Sequence, residues 1–274
     1  MFIQPRRNWL DLRLGELWDY RDLVILFVRR DFVSVYKQTI LGPIWYLIQP
    51  LLTTIVFTVI FGRLAGLPTD GLPPFLFYLS GIVIWTYFAD CLNKTSLTFV
   101  SNASLFGKVY FPRLAVPVSL VISSLVQFGV QFLLFLVFML YFWIRGSLIE
   151  PNWWVLLTPL LLLLMASMGL GFGIIISALT TRYRDLRFLV SFGVQLWMYA
   201  TPVIYPASAV PEPLQPIIEL NPLTPVVESF RYAYLGSGTV SPSSLLYSIA
   251  CTVLVLLAGL LLFNRVEATF MDTV

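Results

Sequence analysis

Histidine is absent from this chain, cysteine occurs twice, and only 11% of the residues are charged. No apolar stretch carries a pair of carboxylates. Intramembrane proteases, acyltransferases and most lipid-modifying enzymes need a general base or a metal ligand, for which His, Asp and Glu are the usual suppliers. Their scarcity argues against an enzyme and against a metal site. Cys91 and Cys251 lie far apart, within or beside apolar stretches, and their spacing matches no metal or redox motif. A phosphate-binding loop is also missing, because Gly107-Lys108 is followed by Val109 and lacks a glycine at the required distance before it. Residues 1–22 alternate Arg, Asp and Trp without an uninterrupted apolar region, so no cleavable signal peptide is expected and the mature chain should start where this one does.

What the chain has in abundance is apolar length, at 58% hydrophobic residues. Six stretches, 44–62, 75–92, 114–144, 153–180, 188–205 and 245–263, are each long enough to cross ~30 Å of hydrocarbon as a helix. Asp90 is their one formally charged residue. The expected fold is all-α and polytopic, with six transmembrane helices. Lys and Arg near span ends are retained on the cytoplasmic side. With both termini there, 14 of the 17 Lys and Arg residues fall on that side, leaving Arg63, Arg145 and Arg231 outside. The net charge of +3 therefore reports topology and implies no nucleic-acid partner.

Several local features refine this picture. Between about 18 and 38, Asp19, Asp22, Arg29, Arg30 and Lys37 form one polar stripe on a helix that is too charged to cross, which suits an amphipathic interfacial helix or a soluble packed one. Gly42-Pro43 breaks that helix just before the first span. Asp90 and Lys94 are one turn apart, the spacing of an ion pair near the cytoplasmic end of the second span. Gly169 and Gly173 form G-x-x-x-G, which permits close approach of helix backbones. Pro117 offers an early bend in the long third stretch, and Gln127 and Gln131 share a face suited to inter-helix hydrogen bonds. Seven prolines between 206 and 242 forbid a continuous span there. Residues 214–220 and 223–235 are read as two short re-entrant helices, tolerable only against protein or a cavity.

Four segments, YKQTILGPIWYLIQPLL (36–52), LFGKVYFPRLAVP (105–117), RDLRFLVSFGVQLWMYATPVIYP (184–206) and NPLTPVVESFRYAYLG (221–236), lie in order across nearly the whole chain. Together they resemble the permease subunit of polysaccharide-exporting ATP-binding-cassette transporters, of the O-antigen type. The resemblance implies a homodimer in a bacterial inner membrane, two copies of a separate ATPase subunit that uses ATP and Mg²⁺, and a polymer carried on undecaprenyl pyrophosphate. No cofactor would be bound by this chain. Residues 1–43 form the cytoplasmic N-terminal segment, 44–263 the permease domain with an outer segment at 206–242, and 264–274 a cytoplasmic tail.

Site expectations follow from that resemblance. Sugar rings slide on aromatic faces, so Trp45, Tyr46, Trp85, Tyr87, Phe88, Trp197, Tyr199 and Tyr205 are candidates for the channel wall, or else for the aromatic belt of any membrane protein. Replacing Trp85 or Trp197 by Ala is then expected to weaken export and leave assembly intact. Leu41-Gly42 matches the family's entrance loop and also suits a helix terminator. Arg29, Arg30, Lys37 and Lys108 are candidates for the pyrophosphate. Lys94, Arg113, Arg182, Arg184, Asp185 and Arg187, in the loops 93–113 and 181–187, either dock the ATPase or only set topology. Glu228 and Arg231, three apart, are expected to hold the outer end of the channel shut, the alternative being an ordinary solvated pair. A drug or lipid exporter is the runner-up function, and a membrane-embedded transferase the alternative from another class.

Overall fold

A computed structural model describes residues 14–37, 42–106, 111–180 and 186–270, and every regular element among them is helical. Leu41, Lys108, Arg182, Arg184 and Asp185 lie outside the described residues, as does the side chain of Arg187. The helices in order are α1 (Leu14–Asp19), α2 (Arg21–Lys37), α3 (Trp45–Phe57), α4 (Pro74–Ser96), α5 (Thr98–Ser101), α6 (Ala103–Phe106), α7 (Ala115–Ile144), α8 (Thr158–Thr180), α9 (Leu186–Tyr199), α10 (Gln215–Leu220), α11 (Thr224–Leu235) and α12 (Pro242–Phe270). The chain is a polytopic membrane protein.

Five segments of these helices are long and apolar enough to cross a membrane: Trp45–Leu64, Pro74–Ser96, Ala115–Ile144, Trp153–Thr180 and Pro242–Arg265. The first continues α3 through a π-helical segment, Thr58–Leu64, where Ala65 N–H donates to Ile60 O at 2.8 Å. The expected span at 188–205 is shorter than the sequence suggests. Its helix, α9, has 14 residues, about 21 Å, and stops at Tyr199 because Pro202 and Pro206 cannot continue it and the residue before a proline avoids helical geometry. Pro117 introduces no bend of its own: it occupies the first turn of α7, where its missing N–H would lack an intrahelical partner in any case.

The bundle is organised around α4, 78% of whose span is buried. Pro74 opens this helix at its first position, where proline is favoured. α4 packs against α3, α7, α8, α9 and α11, and α8 packs in turn against α12. Small residues make the α4–α8–α12 contacts possible. A Cβ at Gly169 would stand 2.7 Å from Cys91 Cβ, one at Gly173 would overlap Thr95 Oγ1, and one at Gly259 would stand 2.7 Å from Gly171 O. The G-x-x-x-G pair is therefore a helix-packing device.

A second apolar cluster joins Val24 and Phe27 of α2 to Phe99, Phe106, Phe111, the start of α7, Ile174 and Phe263 of α12. It places the N-terminal helix and the last turns of α12 at the same end of the bundle. α2 rests on α7 through that buried face. Its exposed side carries Trp18 (of α1), Ile25 and Phe32 at seven-residue intervals beside Asp22, Arg29 and Lys37, the mixed face of a helix at a headgroup boundary.

Candidate functional site

At the opposite end of the bundle, Arg231 and Glu228 on α11 are both about 1% exposed and are joined at 2.7 Å. The solvated alternative is therefore overturned. α11 begins with Pro225 in its first turn and ends at Gly236, whose φ of +76° is left-handed and whose N–H closes onto Tyr232 O. This short helix is buried along nearly its whole length against α4, α8 and α12. Arg231 reaches out of it to two other pieces of chain. Its Nη2 donates to Pro202 O at 3.1 Å and Val203 O at 3.4 Å, and its guanidinium lies 3.9 Å from the centre of the Phe77 ring. The Glu228 Oε2 atom accepts from the Thr239 N–H at 3.0 Å. Gly81 leaves room for the arrangement, since a Cβ there would stand 2.9 Å from Val203 O and 3.2 Å from Arg231 Nη2. Burial pushes the guanidinium below its ordinary pKa, and the Glu228 carboxylate opposes that shift. Gly81 is seven residues into α4, so the pair lies about 10 Å along that span from its first residue.

A second node ties α9 to α11. Trp197 Nε1 donates to Asn221 Oδ1 at 3.2 Å, and Asn221 Nδ2 donates to Ala200 O at 3.0 Å and Thr201 Oγ1 at 2.8 Å. The same Oδ1 accepts from Leu223 N–H at 3.1 Å. Asn221 thus replaces the helix that the prolines interrupt. Its importance was not foreseen from sequence, although the Asn-Pro dipeptide marks a turn.

The eight candidate channel aromatics separate into three groups. Trp85, Tyr87 and Phe88 are buried in the protomer core, where Tyr87 packs on Phe128 and Phe88 stands edge-on to Trp197. These three present no face outside the protomer, which corrects their assignment to an open wall. Trp45 and Tyr199 are exposed, while Tyr46, Trp197 and Tyr205 are half-buried. Trp197 is held by Asn221 and by edge contacts with Phe88 and Phe172, so it is a packing residue as well.

α3 is unusual among the spans. Only 17% of it is buried, yet it is markedly less apolar than α7 and α12, the other two spans that are mostly uncovered. Its exposed residues include Trp45 and Gln49, and α9 exposes Ser191, Gln195 and Tyr199. Lipid contact favours apolar side chains, so polar groups on an uncovered span suit a polar cavity or another protein surface better.

At the α2 end, Gly42 has φ of +47°, the left-handed conformation that lets the chain turn into α3. Arg29, Arg30 and Lys37 are exposed on α2, with Arg30 paired to Asp31 at 2.9 Å. Two expected docking residues differ in exposure, Arg113 being buried and Lys94 partly exposed. The Arg113 guanidinium lies over the Phe106 ring. Lys94 turns back between helices, donating to Ser124 Oγ at 3.1 Å and Gln127 Oε1 at 3.2 Å, with Asp90 Oδ2 at 3.5 Å. It borders a cleft of about 350 Å³ between α2, α3, α4 and α7. Among the described residues no group of His, Cys, Asp and Glu could hold a metal ion.

A family model described as ABC-2 type transporter matches residues 22–235, from the start of α2 to the end of α11. The chain belongs to the ABC-2 type transporter family. The ABC-2 match thus takes in the Arg231 network, the Asn221 node and the cleft together. Similar proteins include an O-antigen export system permease protein RfbA of Klebsiella pneumoniae, 28% identical over 94% of this chain and 96% of its own length. The RfbA protein of Myxococcus xanthus is 27% identical over 94% of this chain and 98% of its own. The polysialic acid transport protein KpsM of Escherichia coli is 23% identical, covering 89% and 93%.

Proposed function

We propose that this chain is the membrane subunit of an ATP-driven exporter of lipid-linked, O-antigen-like polysaccharide, which guides polymer and performs no covalent chemistry. The observation that carries this reading is the collinear similarity of nearly the whole chain to permeases named for O-antigen export. Its own side chains supply neither a phosphate loop nor a histidine, so the driving force comes from ATP and Mg²⁺ on a separate ATPase. Two ATPase copies and two copies of this chain form the working unit in the bacterial inner membrane, with both termini cytoplasmic.

In that unit α3 and α9 face a shared conduit, because they leave polar and aromatic groups uncovered. Trp45 and Tyr199 offer flat apolar faces to passing sugar rings, while Gln49 and Gln195 supply hydrogen bonds. Arg231 and Glu228 fasten the outer segment, and Arg29, Arg30 and Lys37 on α2 attract the pyrophosphate at the other end. The reading is tested by deleting the gene and restoring it in trans. The expected result is loss of surface polysaccharide with lipid-linked polymer accumulating inside, reversed by the intact chain and only partly by Trp45→Ala combined with Tyr199→Ala. Unchanged surface polysaccharide in the deletion strain would overturn it.

A further inference from the structure

Asp31 and Ser123 line the cleft between α2, α3, α4 and α7, and each holds one buried side-chain oxygen that the protein leaves unanswered. Asp31 Oδ2 and Ser123 Oγ are both buried and have no hydrogen-bond partner among the described residues. Five buried side-chain atoms are in that condition, and these two belong to residues that line the same cavity. Buried polar groups are nearly always satisfied by protein, water or ligand, so their coincidence in one cavity points to an occupant.

The lining specifies what kind. Asp31 already gives its Oδ1 to Arg30 at 2.9 Å, so Oδ2 is the acceptor left over. Gln127 uses its Oε1 to receive Lys94, which fixes the amide orientation and leaves the amide nitrogen as a donor. The Lys94 ammonium is itself shared among Ser124, Gln127 and Asp90. It is therefore a positioning residue for Gln127. Phe32 and Val126 add apolar wall, and Tyr46 borders the same space. An ionised acceptor, an amide donor, a hydroxyl and an aromatic face are the groups that recognise a ring bearing several hydroxyls. The carboxylate accepts from hydroxyls, the amide donates to ring or hydroxyl oxygens, and the aromatic face takes the C–H edge. A bare phosphate is disfavoured, because it would meet the Asp31 carboxylate and an ammonium already engaged. The volume, about 350 Å³, is at the small end of ligand sites and admits one sugar ring or a disaccharide.

We infer that this cleft is a carbohydrate subsite that holds a terminal or linkage sugar through Asp31, Gln127 and Ser123 against Phe32. The inference rests on the proposed function for its substrate class, but its test measures binding and needs no export. Oligosaccharides of one to three rings, prepared from the host cell's own surface polysaccharide, are titrated onto the purified full chain in detergent micelles and followed by saturation-transfer NMR. Undecaprenyl phosphate and phosphatidylglycerol serve as phosphate-bearing probes. The wild type is expected to bind the oligosaccharide. Asp31→Asn should weaken it about tenfold, the scale of one charge-assisted hydrogen bond, and Ser123→Ala by less. Lys94→Arg should retain binding that Lys94→Met loses. Melting temperatures equal to wild type confirm that the variants are folded. A wild type that binds no oligosaccharide, binding unchanged in Asp31→Asn, or binding confined to the phosphate probes would each overturn the inference. Oligosaccharide binding in a strain whose surface polysaccharide survives gene deletion would preserve the subsite and reject the export role.

Discussion

Removing Arg231 should be among the most damaging single changes in this chain, and the structure says why. Arg231→Ala leaves the Glu228 carboxylate buried without its cation, orphans two carbonyls at Pro202 and Val203, and opens a space beside Phe77. Breaking a buried pair from one side costs about 3–5 kcal/mol. Glu228→Gln should cost somewhat less, because the carbonyls and the Phe77 ring still receive the guanidinium and Thr239 N–H retains an acceptor. In the double variant Glu228→Gln, Arg231→Met no charge is stranded. Its cost should fall short of the summed singles by roughly 2 kcal/mol, within the range seen for residues in one network. The charge-swapped variant should not be rescued. An arginine at 228 would confront the Thr239 N–H, and a glutamate at 231 would confront the Pro202 and Val203 carbonyls. The assay is equilibrium unfolding in mixed micelles, with resting conductance measured in parallel. Costs under about 1 kcal/mol, as for a solvated pair, or single effects that add within about 0.5 kcal/mol, would refute this reasoning.

Other substitutions separate packing from transport. Trp197→Ala should destabilise by about 3–5 kcal/mol, and Trp197→Phe by about 1 kcal/mol for the lost bond to Asn221, both read by the same unfolding titration. Trp85→Ala should likewise lower stability, which reverses the expectation, drawn from sequence, of intact assembly, because the side chain is buried. Trp45→Ala should change stability by less than about 0.5 kcal/mol while slowing polymer appearance at the cell surface. Gly173→Ala should push α4 from α8, since the new methyl would overlap Thr95 Oγ1; a melting temperature equal to wild type would show that the contact is slack.

The spans were legible because a bilayer imposes a length and a composition, and apolar runs report both. The glycine contacts at 169 and 173 were legible for a related reason: G-x-x-x-G has a single obvious use in an apolar helix. The fifth span was overestimated because composition stays apolar through residue 205, while the backbone obeys Pro202 and Pro206. The burial of Trp85, Tyr87 and Phe88 is not legible, because periodicity within α4 does not say that the helix is surrounded on nearly all sides. Glu228 and Arg231 were found as a pair, but their burial depended on α4, α8 and α12 closing around α11, which no local pattern encodes. The cleft at Asp31 and Ser123 could not be read at all, since it needs residues from α2 and α7 that only packing brings together.

The central claim, that this chain is a conduit driven by another protein, is tested most directly in proteoliposomes. The purified chain is reconstituted with lipid-linked polysaccharide, with or without the ATPase subunit proposed to drive it, and polymer delivered across the bilayer is counted with and without ATP. Delivery should require both proteins and hydrolysable ATP. Delivery of equal extent by this chain alone, without nucleotide, would contradict the account.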